Sequence, residues 1–305
     1  MSVLDTKVGG METKALAAAG ITVVLWASAF VAIRSAGAEY SPGALALGRL
    51  LAGSAVLVVI WLARGGGFPP RAGPGRASSA PACCGSGSTW WPSTGASSSS
   101  TRAPRPWWST SAPIVIALLG GWLLKEGFPR ALFAGLAVSF AGAAVVGLSM
   151  SEGGGSSVAG VLLCLLAAVS YGVGVVFQKP ALRHASALQV TTFGCVVGTV
   201  ACLPFAGQLV AEASTASLGA TLNVVYLGVF PTALAFTTWA YALARTTSGK
   251  MGATTYVTPA LVVLMSWVAL GEVPGWLTLL GGLLCLVGVG VSRMRPRRLS
   301  GQSVG

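Results

Sequence analysis

Charge is what this chain has least of. Only 9% of its residues are Asp, Glu, Lys or Arg, whereas soluble domains carry about a quarter of such residues. Hydrophobic residues make up 54% of the chain, and its mean hydropathy is +0.77. This composition excludes an ordinary soluble domain and predicts an integral membrane protein.

Groups for catalysis or metal binding are also scarce. A single histidine, His184, and seven acidic residues offer little to an enzyme or a metal ion. Four of the six cysteines lie singly in apolar segments, where a small thiol packs well, and the other two are the adjacent pair Cys83 and Cys84. We therefore expect no enzyme activity, no metal and no cofactor.

Long apolar runs recur along the chain, and a run of about 20 residues crosses a hydrocarbon core of about 30 Å as a helix. The first run follows a polar leader without a clear cleavage site, which indicates a retained span. We predict nine spans, one of them short: Ala15–Ser35, Pro42–Ala63, Ala112–Leu124, Arg130–Met150, Val158–Phe177, Ala187–Leu209, Leu218–Ala244, Met251–Leu270 and Gly275–Val291.

The formal net charge of +12 is distributed unevenly among the loops. Cytoplasmic loops of membrane proteins are rich in Lys and Arg. If residues 71–111 contain one more span, basic loops alternate regularly with loops that hold mostly Glu. The pattern then predicts ten spans, both termini in the cytoplasm and a basic cytoplasmic tail at 293–305. It assigns the positive charge to the membrane surface and not to nucleic acid.

An internal repeat relates the two halves of the chain. A shift of 146 positions, from 113 to 259, places one set of residues on another: Pro113, Glu126, Gly135 and Gly142 on Pro259, Glu272, Gly281 and Gly288. Because five spans separate the copies, the second is inverted relative to the first, as in many secondary transporters. We predict repeats at 1–150 and 151–292.

The second half resembles an EamA-type repeat of the drug/metabolite transporter superfamily. The matching features are Thr232–Ala235, Ala242 with Leu243, Pro259, Leu270–Glu272 and the glycines from Gly281 to Gly290. The first half begins in the same style with "LWASAFVAIRSA" and "ALGRLLAG". The resemblance implies an all-α, ten-helix inverted-repeat bundle, five helices plus five, that transports a small organic metabolite or drug-like solute.

Residues 72–111 depart from this pattern because they are rich in Ser, Pro and Arg, and the third helix and the start of the fourth are missing. Each Trp-Trp pair is encoded by TGGTGG, which reads as apolar codons one base earlier. We therefore interpret this aberrant stretch as frameshifted, through sequencing error or true mutation. The alternative is a genuine disordered loop. The gene's DNA decides between them, because a reading frame without one-base slippage would exclude the frameshift.

Polar and aromatic residues inside spans indicate candidate substrate contacts, because they need partners or a watery cavity. Arg49 is the one charge well inside a span, and it either binds the solute or extends to the membrane interface. The others alternatively serve packing or interface anchoring. The candidates are Trp26, Ser28, Arg49, Pro113, Ser170, Tyr171, Thr238, Trp239, Tyr241, Tyr256, Thr258 and Pro259.

These features together predict a multi-pass transporter of the cell membrane. We expect it to export a small organic solute by alternating access between the two halves. Its expected partners are the solute and the lipid bilayer, without nucleic acid, and a homodimer is left open. The alternative is a non-transporting membrane protein or the inactive product of a frameshifted transporter gene.

Overall fold

The computed structural model describes residues 3–66, 111–149, 158–270 and 274–294. Within these ranges every regular element is helical. The α-helices are α1 (Val3–Ala36), α2 (Pro42–Ala63), α3 (Ala112–Leu123), α4 (Arg130–Ser149), α5 (Val158–Ala181), α6 (Ala187–Cys202), α7 (Ala206–Thr215), α8 (Leu218–Leu227), α9 (Ala235–Leu243), α10 (Ser248–Thr254), α11 (Val257–Leu270) and α12 (Trp276–Arg293).

The helices follow the predicted spans closely. A 3₁₀ turn joins α6 to α7, and a π-helical segment, Gly228–Leu234, joins α8 to α9. Six helical segments in the described part are long and apolar enough to cross a membrane. The predicted all-α membrane fold is confirmed. The proposed tenth span and the frameshifted stretch lie outside the described residues, so the ten-helix count stays a prediction.

Serine residues and prolines set several helix starts. Pro42 occupies the first turn of α2, where its missing N–H is not needed for a helical hydrogen bond. Ser186 begins α6 with a capping box, in which its hydroxyl accepts from the Gln189 N–H and the Gln189 side chain accepts from the Ser186 N–H. These local signals explain why the predicted bounds of α2 and the start of α6 agree with the structure.

Two prolines interrupt the regular helical hydrogen bonds. Pro231 lies inside the π-helical segment, and Pro259 lies in the first turn of α11. Because Pro259 has no N–H, the Thr255 carbonyl accepts from the Thr258 N–H instead, at 2.9 Å. The predicted span at Met251–Leu270 is therefore two helices, α10 and α11, separated at Thr255 and Tyr256.

Glycines bring α4 and α12 into backbone contact. A Cβ added at Gly135 would lie 2.4 Å from the Gly288 carbonyl oxygen, and one at Gly142 would lie 2.6 Å from the Gly281 carbonyl oxygen. Small residues at such crossings let membrane helices approach closely without a hydrophobic driving force. These four glycines are the ones that the 146-residue shift had related to each other.

In the middle of the crossing of α4 and α12, Ser139 and Cys285 form two reciprocal hydrogen bonds. The Ser139 hydroxyl donates to the Cys285 carbonyl at 3.1 Å, and the Cys285 thiol donates to the Ser139 carbonyl at 3.4 Å. These two positions are also 146 residues apart. Reciprocal contacts of this kind are what a pseudo-two-fold relation between the copies would produce, and the division into repeats at 1–150 and 151–292 stays a prediction.

Candidate functional site

Aromatic side chains cluster where α1, α5 and α9 meet. The ring of Trp26 on α1 lies 5.0 Å from that of Trp239, 5.1 Å from that of Phe236 and 6.5 Å from that of Tyr171, measured between centroids. The Tyr171 and Trp239 centroids are 6.3 Å apart. We call Trp26, Tyr171, Phe236 and Trp239 the aromatic cluster. Three of its four members were candidates from the sequence.

The π-helical segment supplies a backbone acceptor to this cluster. The Trp26 indole N–H donates to the Pro231 carbonyl at 3.2 Å. One helical turn earlier on α1, the Thr22 hydroxyl lies 2.8 Å from the Thr238 hydroxyl and 3.3 Å from the Ala235 carbonyl. Side-chain hydrogen bonds from α1 therefore hold both the π-helical segment and the first turn of α9.

One polar atom in the aromatic cluster has no hydrogen-bond partner among the described residues. The Tyr171 hydroxyl is buried without one. A buried hydroxyl without a partner is costly, and such an atom in a native protein needs an explanation. An aromatic wall with an available hydroxyl can hold a small amphipathic molecule by ring contacts and one directed hydrogen bond.

The other candidates on α1, α2, α5 and α9 are not members of this cluster. Ser28 bonds to the Tyr226 hydroxyl at 2.7 Å, and Ser170 is half-buried directly before Tyr171. Arg49 is half-buried on α2, within electrostatic range of the thiols of α6 and not in the aromatic cluster. Tyr241 on α9 packs against the same core as the aromatic cluster.

The remaining candidates lie in a neighbouring region formed by α3, α10 and α11. Tyr256 is buried in a separate core that includes residues of α4 and α12. Thr258 has a buried hydroxyl without a partner among the described residues, beside Pro259. Pro113 is buried at the start of α3, with its carbonyl close to Gly252 of α10. The structure therefore divides most of the predicted site into two groups, with Ser28 and Arg49 in neither.

Sequence reasoning missed Thr22, Phe236 and the acceptor role of Pro231. Thr22 was available from the pattern, because it lies one helical turn before Trp26 on the same face of α1. A proline in the middle of a predicted span was also a visible sign of an irregular helix. Phe236 gave no signal, since a single Phe in an apolar helix is ordinary.

A cavity of about 690 Å³ opens beside the ends of α2 and α9 and the start of α6. Its wall includes Trp61, Arg64, Tyr241 and Arg245. The Arg245 guanidinium lies 3.5 Å from the centre of the Tyr241 ring. We call this space the basic-end cavity. It lies at the end of the bundle where the sequence analysis placed the basic loops.

The same end of the bundle carries a partly buried ion pair. Lys179 of α5 pairs with Glu126, and the Glu126 carboxylate also accepts from the Ser248 N–H at 2.8 Å. Lys179 donates as well to the Thr246 carbonyl at 2.6 Å. The turn after α3 is thereby fixed to α5 and to the start of α10, which agrees with a structural role for Glu126.

Two reciprocal carboxylate contacts connect two turns at the opposite end. Glu39, after α1, accepts from the Ser217 N–H at 2.5 Å and from its hydroxyl at 2.7 Å. Glu212 of α7 accepts from the Ser41 N–H at 2.7 Å. Ser217 and Ser41 are the N-caps of α8 and α2. We call these two contacts the serine–glutamate clasp, which ties the α1–α2 turn to the α7–α8 turn.

The serine–glutamate clasp depends on pH through the Glu39 carboxylate. The hydrogen bonds from the Ser217 N–H and hydroxyl lower the pKa of Glu39 below its ordinary value of 4.5. A carboxyl whose pKa is lowered on pairing stabilises the paired state above its ordinary pKa, and this contribution is lost as the pH falls through the lowered value. We expect the clasp to hold unchanged from neutral pH down to about that ordinary value.

Thiol labelling tests this expectation, because the rate relative to that of free 2-mercaptoethanol should stay constant from pH 7 down to about that ordinary pKa. Ala36 is fully buried beside the clasp, so maleimide should label Ala36→Cys slowly at pH 7 in a background without the native cysteines. Glu39→Ala should raise the labelling rate severalfold, whereas Glu126→Ala at the other end should not. Equal labelling of both double variants would show that Glu39 does not hold this end closed.

The chain is a multi-pass membrane protein with a polar and aromatic interior, and the comparisons with known proteins show its class. Residues 158–294 match the model of the EamA-like transporter family. A probable terminal-alkyne amino-acid exporter of Streptantibioticus cattleyicolor is 34% identical over 282 residues, which cover 91% of this chain and 92% of the relative. The chain therefore belongs to the EamA-like transporter family.

Two further likenesses extend over most of the chain. The uncharacterized transporter YdfC of Bacillus subtilis is 31% identical over 288 residues, covering 92% of this chain and 91% of the relative. A solved crystal structure superposes with a TM-score of 0.76 at 22% identity, covering 94% of this chain and 100% of that chain. This last likeness supports the fold alone.

A shorter match connects the chain to another exporter. A probable amino-acid metabolite efflux pump of Salmonella typhimurium is 25% identical over 191 residues, which cover 59% of this chain and 64% of the relative. These relatives are all described as transporters, exporters or efflux pumps. This chain is a multi-pass membrane transporter.

Proposed function

We propose that the chain exports a small amphipathic organic solute of amino-acid size, with the aromatic cluster as its binding site. The observation that carries the proposal is the buried Tyr171 hydroxyl, which has no partner among the described residues and lies beside Trp26 and Trp239. A solute that accepts this hydrogen bond and stacks on the rings would satisfy both features.

Two named relatives support the choice of solute class. One is described as a probable terminal-alkyne amino-acid exporter and the other as a probable amino-acid metabolite efflux pump. An amino acid with an apolar side chain matches an aromatic wall beside a single polar group. The broader class, which includes drug-like solutes, follows from the family.

Alternating access is the mechanism that the two ends support best. The clasp joins α1 and α2 to α7 and α8 at one end, while the basic-end cavity reaches between α2, α6 and α9 at the other. A transporter closed at one end and open at the other exposes its site to one side of the membrane. We propose that the basic end faces the cytoplasm of the cell membrane, so that this state loads solute for export.

Export can be measured in bacteria that take up the terminal-alkyne amino acid propargylglycine. After loading, the retained probe is quantified by azide cycloaddition to a dye. Cells that express the chain should retain severalfold less probe than cells that express Trp239→Ala at the same membrane level. Equal retention would contradict export of this class.

A reference chain with the reading frame restored across residues 72–111 separates two explanations of a negative result. If the restored chain exports the probe and the present chain does not, the present chain is the inactive product that the sequence analysis left as its alternative. If neither exports, the solute class is wrong or the protein does not transport.

A further inference from the structure

We propose that the basic-end cavity binds the carboxylate of a small organic solute through Arg64 and Arg245. The charge of the lining points to this chemistry. Both arginines lie on its wall, and the described lining residues include no Asp or Glu. Two guanidinium groups on one cavity wall that has no carboxylate attract anions and repel cations. The choice of an amino acid as the solute rests on the proposed function, whereas the preference for anions does not.

The contacts of Arg245 hold its guanidinium in place, as recognition of a ligand requires. A surface arginine without such contacts would move freely. Its guanidinium lies 3.5 Å from the centre of the Tyr241 ring and donates to the Tyr241 carbonyl at 2.8 Å. Two contacts to one residue hold the guanidinium against an aromatic face. Because guanidinium has five N–H donors, further donors are left for a ligand in the cavity.

The start of α6 supplies little of the anion binding. Ser186 and Gln189 also line the cavity, but their side chains complete the capping box at this helix start. The Ser186 hydroxyl and the Gln189 side-chain oxygen are therefore committed to α6 itself. The two arginines are the described lining groups with positive charge. Recognition of the carboxylate is therefore assigned to them.

Size and position connect the cavity to the aromatic cluster. A volume of about 690 Å³ lies within the range of about 300–1,000 Å³ that small-molecule sites occupy. Leu182 and Tyr241 line the cavity and also pack against the core that contains Trp239. Trp61 adds a second aromatic wall. A solute held here by its carboxylate would therefore lie next to the residues of the proposed transport site.

Charged thiol reagents test the anion preference without any assumption about transport. Ala185 lines the cavity, so Ala185→Cys is placed in a background without the native cysteines. Its labelling rates are measured with an anionic sulfonatoethyl and a cationic trimethylammonioethyl methanethiosulfonate, each relative to free 2-mercaptoethanol. We expect a ratio of normalised rates that favours the anionic reagent.

The arginine variants then assign this preference to specific residues. Arg64→Gln and Arg245→Gln should each lower the anionic-to-cationic ratio by roughly tenfold, since one charge in the same cavity acts on both reagents in opposite directions. Lys250→Gln removes an exposed charge outside the cavity and should leave the ratio unchanged. A ratio unaffected by the arginines, or lowered equally by Lys250→Gln, would overturn the proposal.

Protection against labelling tests the ligand. Propargylglycine should slow the reaction of Ala185→Cys, and but-3-ynylamine, which lacks the carboxylate, should not. Arg64→Gln and Arg245→Gln should remove the protection. Protection by the amine would contradict carboxylate recognition. A strong anion preference without protection by either probe would retain the arginine site and reject the amino acid, which separates this inference from the proposed function.

Discussion

Gly288→Val should destabilise the protein strongly, whereas Gly290→Val should not. A Cβ at Gly288 would lie 2.2 Å from the Ser139 hydroxyl oxygen and 2.5 Å from the Gly135 carbonyl oxygen, and one at Gly290 would meet nothing within 4 Å. Overpacking costs about 1–3 kcal/mol where neighbours can move. Backbone atoms at these distances move only if α4 and α12 separate, so we expect a larger cost.

The two variants form a matched pair on one helix. Both replace Gly by Val in α12, so the intrinsic helix propensity changes equally. Thermal unfolding in detergent, followed by size-exclusion chromatography, should show a Tm at least 5 °C lower for Gly288→Val, because about 1 kcal/mol corresponds to roughly 2–4 °C at this size. Equal Tm values would contradict the close crossing of α4 and α12.

Tyr171→Phe should weaken transport of propargylglycine while leaving the fold intact. The Tyr171 hydroxyl is buried without a partner among the described residues, so its removal relieves an unsatisfied polar group and should leave the Tm equal or higher. If the solute uses this hydroxyl, the KM should rise about threefold to tenfold, which corresponds to a hydrogen bond of about 1 kcal/mol.

Tyr226→Phe is the control for this variant. The Tyr226 hydroxyl forms a hydrogen bond with the Ser28 hydroxyl at 2.7 Å. Removal of the Tyr226 hydroxyl breaks this bond and should lower the Tm. The KM for the probe should not change, because Tyr226 lies outside the aromatic cluster. An unchanged KM in Tyr171→Phe, or the same rise in both variants, would remove Tyr171 from the binding site.

The spans could be predicted because a helix that crosses a membrane has one requirement that the sequence shows directly. A helix in lipid needs a long apolar run, and Pro42 or Ser186 marks where such a run begins. The predicted bounds of α2 agree with the structure at both ends. Breaks inside a run are less visible, because Pro231 and Pro259 change the local hydrogen bonds without changing hydropathy.

The candidate site was harder to predict, because its members are far apart in the chain. Trp26 and Trp239 were chosen as aromatic residues in spans, but nothing in the sequence states that their rings lie 5.0 Å apart. Tyr256 met the same criterion, yet it packs in a separate core with residues of α4 and α12. Residue type identifies candidates, and the crossing of helices decides which of them meet.

The central claim is that this chain moves a small amphipathic amino acid across a membrane. The most direct measurement loads liposomes containing the purified protein with unlabelled propargylglycine and follows the entry of radiolabelled propargylglycine by counterflow. We predict transient accumulation well above that of protein-free liposomes, with Trp239→Ala close to the protein-free level. Entry equal to that of protein-free liposomes, from a preparation whose thermal unfolding shows folded protein, would contradict the claim.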